Sequence, residues 1–306
     1  MLPERTTPIP QPALYEACPL ELDEEIWLLG NYFFNLYLVR GSHACALVEM
    51  GVSAVVDAVI GQLEGLGVSP DYLVLTHPHA DHITGLPGLM EAYPGAGLVA
   101  AEGARVFAQH PKALAGMVYE DRYLTDRLAR VGITAGRASL EGLQFPEDYL
   151  AVKQTADIDL GGLTLHCFPV QGHSPGNLAV HIPERKVLVV SDSLGFHYPG
   201  RGFCRLFFTG FEAFTATLAE LAAMKPDIVG PAHQGAITGS DVEPAFQQAR
   251  EAADRVLEMV RRGGRPDEEI ARALFDTYYV DEFTLYSEQN ILACCRLLVR
   301  RAKEAL

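Results

Sequence analysis

The stretch Thr76-His77-Pro78-His79-Ala80-Asp81-His82 sets three imidazoles and a carboxylate within six residues, His77 to His82, directly after the apolar run Tyr72-Leu73-Val74-Leu75. The run reads as a short buried strand, and Gly85 and Pro87 mark a turn into a helix. The polar cluster therefore falls on a loop at a strand's C-terminal end. Side chains two apart on an extended chain point the same way, so His77 and His79 can reach one ion. Asp81 and His82 lie further along and can face a second. Imidazole with carboxylate suits zinc, iron or manganese, and four such groups exceed what one ion uses from a single loop.

Three distant residues extend the set. His173 lies in Val170-Gln171-Gly172-His173-Ser174-Pro175-Gly176, Asp192 follows the apolar run Val187-Leu188-Val189-Val190-Ser191, and His233 ends Ile228-Val229-Gly230-Pro231-Ala232-His233. Each stands at a turn after a strand-like stretch, so all would cluster if those strands shared one sheet edge. The other histidines, His43, His110, His166, His181 and His197, read as surface or core residues, with His197 alone close enough to Asp192 to line a pocket.

In order and spacing this set resembles the metallo-beta-lactamase superfamily, whose His-x-His-x-Asp-His loop is followed by a His, an Asp and a last His. All seven positions are filled, over roughly residues 25 to 240. The resemblance implies that His77, His79 and His173 bind one metal, that Asp81, His82 and His233 bind another, and that Asp192 bridges the two. It implies a hydrolase with two divalent ions (zinc, iron or manganese) that activate a shared water, with Asp81 as the catalytic residue that orients that water or takes its proton. One position departs from the pattern: the strand Ala46-Leu47-Val48 is followed by Glu49 where the family usually has Asp, which bears on a hydrogen bond behind the metal loop.

The fold expected from the rest of the chain is α+β. Strand-like runs at Ile26-Trp27-Leu28-Leu29, residues 33–39 and 44–48 form a meander, followed by a helix over 53–66 and the strand before the metal loop. A second pass begins near Gly162, with strands at 163–170, 178–182 and 187–190, a helix over 211–224 and a strand at 227–229. Two mixed sheets face to face with helices outside, an αββα sandwich, would bury both sets of runs. The expected organisation is a Pro-rich extended arm at 1–13, the sandwich over 14–240 with a helical insertion at about 102–150, and a C-terminal helical appendage at 241–306. Within the appendage, apolar residues from Val242 to Val260 recur at three-and-four spacing, and further helices start near Pro266 and Ser287.

Composition limits the partners. The chain has 306 residues, 49% of them hydrophobic, and a formal charge of −15. That charge disfavours a nucleic-acid partner, and no apolar stretch reaches the ~20 residues needed to span a bilayer. The six cysteines lack paired spacing and read as free thiols. The expectation is a cytoplasmic enzyme acting on a small molecule, with a homodimer left open by the arm and the C-terminal helices.

Among substrates of the superfamily, Asp192 stands where the best-known lactamases place Cys, and His79 stands where the oxygen-reducing di-iron branch has Glu. What the resemblance then favours is an acyl thioester, as in glyoxalase II and the quinolone-signal thioesterases, although the basic glutathione-binding signature of glyoxalase II has no counterpart. The alternatives are an acyl-homoserine-type lactone hydrolase and a metal-containing binding or regulatory protein with little turnover. Candidate pocket residues are Phe196, His197, Tyr198, Phe203, Phe207 and Phe208, from the aromatic stretch after Asp192, and Tyr278 and Tyr286 from the appendage.

Overall fold

The computed structural model describes residues 18–198 and 200–306; the Pro-rich arm expected at 1–13 lies outside them. The first half builds a seven-stranded sheet in which strand order follows the chain. Strands β1 (Leu20–Asp23), β2 (Ile26–Gly30), β3 (Asn35–Arg40) and β4 (Cys45–Val48) form an antiparallel meander. Then β5 (Tyr72–Leu75), β6 (Gly97–Ala101) and β7 (Leu150–Val152) continue from β4 in parallel. The change from antiparallel to parallel comes where helix α1 (Val56–Gly65) supplies the crossover that a parallel pair requires.

The second half gives a six-stranded sheet with the order β15-β14-β11-β10-β9-β8. Its members are β8 (Ala156–Asp159), β9 (Thr164–Val170), β10 (Asn177–Ile182), β11 (Val187–Val189), β14 (Ile228–Gly230) and β15 (Ile237–Thr238). Only β11 and β14 pair in parallel, bridged by helix α6 (Phe211–Ala223). A separate hairpin, β12 (Phe196–Tyr198) with β13 (Gly202–Cys204), follows Asp192.

Period-two alternation explains how the layers assemble. Ile26, Leu28, Tyr37, Val39, Val48 and Val74 of the first sheet meet Leu165, Cys167, Leu178, Val180 and Val189 of the second in one buried cluster between the sheets. Their neighbours Leu36, Leu38, Leu47, Leu73 and Leu75 face outward and share a cluster with Val56, Val59 and Leu63 of α1. This is the αββα sandwich of two mixed sheets.

Residues 102–130 fold as α4 (Glu102–Ala108) and α5 (Pro111–Arg130), and after the second sheet come α7 (Val242–Arg261), α8 (Asp267–Tyr278) and α9 (Glu288–Glu304). Among described residues no helix is long and apolar enough to cross a membrane.

Two contacts lock the edge where the polar loops gather. Gly172 has φ 101°, and a Cβ there would lie 2.2 Å from Phe214 Cα, so only glycine lets α6 press against the loop that carries His173. Asp121 of α5 is fully buried and accepts from Ser53 N at 3.0 Å, Ser53 Oγ at 2.6 Å, Thr84 Oγ1 at 2.6 Å and Leu140 N at 2.6 Å. Thr84 directly follows the short helix α2 (Ala80–Ile83) of the metal loop, so this carboxylate fastens that loop to α5. Asp121→Ala strands several buried donors at once, and urea unfolding is expected to show a loss of about 3 kcal/mol or more. A change under about 0.5 kcal/mol would contradict this tethering role.

Candidate metal centre

His77, His173, Asp192 and His233 each lie two or three residues beyond the C-terminal end of β5, β9, β11 and β14 respectively. Backbone bonds hold those ends together: Leu178 N donates to Thr76 O at 2.7 Å and Val190 N to Gly230 O at 2.9 Å. On the other side, Tyr37 Oη donates to Pro231 O at 2.6 Å, and Asn35 N to Ala232 O at 2.8 Å. The turn of α2 then carries Asp81 and His82 toward the His233 loop.

Two clusters of ligand atoms result, and all seven residues singled out in the sequence take part. His77 Nε2, His79 Nδ1 and His173 Nε2 form a triangle with every side 3.1 Å. Asp81 Oδ2 lies 3.4 Å from His82 Nε2 and 3.5 Å from His233 Nε2. Asp192 sits between the two groups, with Oδ2 3.5 Å from both His173 Nε2 and His82 Nε2, and Oδ1 3.5 Å from His233 Nε2.

These spacings fit metal ions better than they fit any set of hydrogen bonds. A tetrahedral ion with metal–nitrogen bonds near 2.05 Å holds its ligands about 3.3 Å apart. His173 Nδ1 donates to Leu206 O at 2.8 Å and His233 Nδ1 to Phe33 O at 2.6 Å. A carbonyl only accepts, so the proton of each neutral ring sits on Nδ1, and the lone pair on Nε2 points into the site. His82 Nε2, His233 Nε2 and Asp192 Oδ1 are buried without a hydrogen-bond partner. Buried polar atoms are seldom left unpaired, and here all three converge on the same space.

The electrostatics agree. Burial, with the neighbouring imidazoles, holds His77 well below the usual imidazole value, and burial lowers His79 to about 3 and also lowers His173. Those rings are neutral at pH 7 and keep their lone pairs. Burial also opposes a charge on His82, but Asp81, Glu49 and Asp192 outweigh it and raise its pKa well above the ordinary one. For Asp192 burial pulls upward, yet His82 and the other imidazoles bring it down to about 2. Asp81 is held below the usual carboxylate range in the same way.

Glu49 stands behind the loop. Its carboxylate accepts from Thr76 Oγ1 at 2.7 Å and lies 3.2 Å from His82 Nδ1, and the backbone takes φ 75° to bring it there. The longer acid thus still orients His82.

A cavity of about 610 Å³ opens onto the centre. Phe107, Met117, Phe196, Phe208, Ile291 and Leu297 make its wall largely apolar, and Tyr286, just before α9, donates from Oη to Asp81 Oδ2 at 2.9 Å. Burial, then Asp81 and Asp192, raise the Tyr286 phenol well above its ordinary pKa, so it remains a donor. Glu120 of α5 accepts from Ser287 N and Oγ, each at 2.8 Å, and so ties α5 to the start of α9 across this cavity.

Of the eight aromatic and imidazole side chains expected to line the pocket, Phe196, Phe208 and Tyr286 do so. The other five do not. Phe207 is fully buried against Phe211 and Phe214, because α6 covers it, and its neighbour Phe208 takes the place at the cavity. His197 packs on Phe203 across the β12–β13 hairpin, 4.9 Å between centroids, on the side of the strand opposite Phe196. Tyr198, Phe203 and Tyr278 line a separate, smaller cavity. Phe107 and Met117 went unread because they lie on helices whose sequence gives no sign of which element they face.

The model for the metallo-beta-lactamase superfamily matches residues 30–233, more than half of the chain. The chain belongs to the metallo-beta-lactamase superfamily. It is 28% identical over 214 residues to a hydroxyacylglutathione hydrolase of Ruegeria pomeroyi, covering 68% of this chain and 64% of that protein. The chain therefore spans just under two thirds of that relative's length. It is 24% identical over 215 residues to the metallo-beta-lactamase fold-containing protein ST1585 of Sulfurisphaera tokodaii, covering 70% of this chain and 77% of that one. Among solved structures, the metallo-beta-lactamase family protein TTHA1429 of Thermus thermophilus superposes with a TM-score of 0.64 at 21% identity, over 93% of this chain and 95% of that one. That likeness is one of fold.

Removing the carboxylate behind His82 separates the two clusters experimentally. Glu49→Ala is expected to weaken metal binding at the Asp81–His82–His233 cluster about 10- to 100-fold and the His77–His79–His173 cluster, whose His77 it reaches through Thr76, by less. Competition titration against a chromophoric chelator reads both affinities. Equal loss at both, or loss at neither, would contradict the assignment.

Proposed function

We propose that this chain is a dinuclear metal-dependent hydrolase whose substrates are acyl thioesters with an apolar acyl group. The observation that carries the reading is the pair of buried ligand clusters sharing Asp192 at the floor of an apolar cavity. When bound, two divalent ions supply an activated water as nucleophile and a Lewis-acid contact for the acyl oxygen.

The chain's own residues do the rest. His77, His79 and His173 would hold one ion, Asp81, His82 and His233 the other, and Asp192, within 3.5 Å of nitrogens in both groups, could serve both. The Tyr286 phenol fixes Asp81 through Oδ2. Among the described residues nothing bonds Asp81 Oδ1, which leaves that oxygen to orient the attacking water. The segment from Phe283 through α9 closes one wall of the cavity and keeps bulk water from the acyl chain.

An apolar wall selects for the acyl part. Arg301 is the one arginine or lysine among the described lining residues, so no basic cluster marks out a large anionic thiol. The similarity to a hydroxyacylglutathione hydrolase supports the same bond type, since an acylglutathione is a thioester. Lactone opening uses the same ions and remains the comparison to make.

Acyl thioesters of increasing chain length, assayed beside homoserine lactones with the same acyl groups, test the reading. Protein reconstituted with zinc, iron or manganese is expected to favour the thioester, with kcat/KM rising about fourfold per methylene until the cavity is filled. Chelation is expected to abolish turnover. Faster lactone hydrolysis would favour the lactonase, and substrate binding without turnover in every metal form would leave a binding protein. Tyr286→Phe is expected to lower kcat roughly tenfold while retaining two ions per chain; unchanged kcat would remove the phenol from the mechanism.

A further inference from the structure

A second cavity, of about 370 Å³, lies between the β12–β13 hairpin, α7 and the C-terminal end of α8, and shares no lining residue with the cavity over the metal centre. Arg201, Arg205 and Arg255 line it together with Phe203, Val256 and Tyr278. No aspartate or glutamate is among its described lining residues.

Arg205 is the unusual member. It is 4% exposed, its Nε has no hydrogen-bond partner, and among the described residues no carboxylate pairs with it. Its guanidinium stacks 4.3 Å above the Tyr278 ring. That contact offsets part of the desolvation cost, but a ring face does not use the fork of N–H donors that guanidinium presents to an oxyanion. Arg255 is close enough to act on it with like charge.

The other two arginines stand at the mouth and already have acidic partners. Arg201 pairs with Asp281 at 2.5 Å and Arg255 with Glu251 at 3.8 Å, and both arginine side chains are more than half exposed. Arg205 therefore remains as a buried cation with its donors unspent, in a chain whose net charge of −15 offers many acids that could have been placed beside it. Burial lowers its pKa to about 10, which still leaves it charged at neutral pH. A buried charge is costly unless something compensates it.

We infer that this cavity binds the oxyanion head group of a small organic ligand, held by the Arg205 guanidinium, with Tyr278, Phe203 and Val256 packed against the ligand's apolar part. Carboxylate and phosphate share the chemistry that the arginine fork recognises. The site is independent of the reaction proposed above. It adjoins the metal centre along the chain, since Leu206, the next residue, gives its carbonyl to His173, and through Tyr198, whose ring packs on Phe196 and Phe283 of the first cavity.

Titration calorimetry of the metal-loaded protein tests this with phenyl phosphate, benzoate and, as the neutral control, benzyl alcohol. At least one of the two anions is expected to bind one per chain, weakening as salt is raised, while benzyl alcohol does not; the two anions identify the head group. Arg205→Met is expected to weaken binding at least tenfold. Arg255→Ala, at an exposed position that does not threaten the fold, is expected to weaken it severalfold, with two ions per chain retained. An anion captured by the metal ions would behave differently, surviving both substitutions and disappearing with chelator. That result would overturn the proposal, as would the absence of binding by either anion at millimolar concentration, or equal binding of benzyl alcohol.

Discussion

Three ring nitrogens, from the buried His77 and His173 and the half-buried His79, face one another across 3.1 Å at the floor of the cavity. The proton that could relieve the crowding on His173 is committed to the Leu206 carbonyl on the other side of the ring. Such an arrangement is unfavourable for the protein alone, because each lone pair is desolvated and opposed by its neighbours. A cation at the centre reverses the sign of every one of those terms. The second cluster repeats the situation, with His82 Nε2 and His233 Nε2 unpartnered and two carboxylates beside them.

The architecture follows from supplying these groups from distant points in the chain. Strands β5, β9, β11 and β14 must end at one edge, and the face-to-face sandwich with Leu178 N bonded to Thr76 O provides that alignment. Apolar burial between and outside the sheets provides the favourable free energy that tolerates a polar, strained edge. Because the candidate ligands are scattered from 77 to 233, metal binding would be linked to folding: ions that bind only the folded chain add their binding free energy to its stability. The C-terminal helices then turn an exposed edge into a walled cavity, through Tyr286 on Asp81 and Ser287 on Glu120.

Much of this was legible in the sequence for a physical reason. Metal ligands are limited to a few residue types and fall at strand ends, so His77 to His82 announce themselves, and Gly172, Pro175 and Pro231 punctuate the loops that carry the others. Long apolar alternation likewise revealed the central strands. Strands β6 and β7 of the first sheet, the short strands β1, β8 and β15 and the β12–β13 hairpin were hidden, since pairings this short take their stability from neighbours rather than from local pattern. Pocket walls were read least well. Phe207 and Phe208, both read as wall, are chemically alike, and only the position of α6 decides that the first is core and the second faces the cavity. Arg205 gave no signal at all, because what sets it apart is the lack of a partner in space.

The most direct measurement is anomalous diffraction at the absorption edge of the metal found in crystals of the protein purified from its own host. Two peaks per chain are predicted, one within bonding distance of His77, His79 and His173, the other of Asp81, His82 and His233, with the Asp192 carboxylate touching both. A single peak away from those side chains, or their ring nitrogens bonded to ordered water with no anomalous signal, would contradict the account.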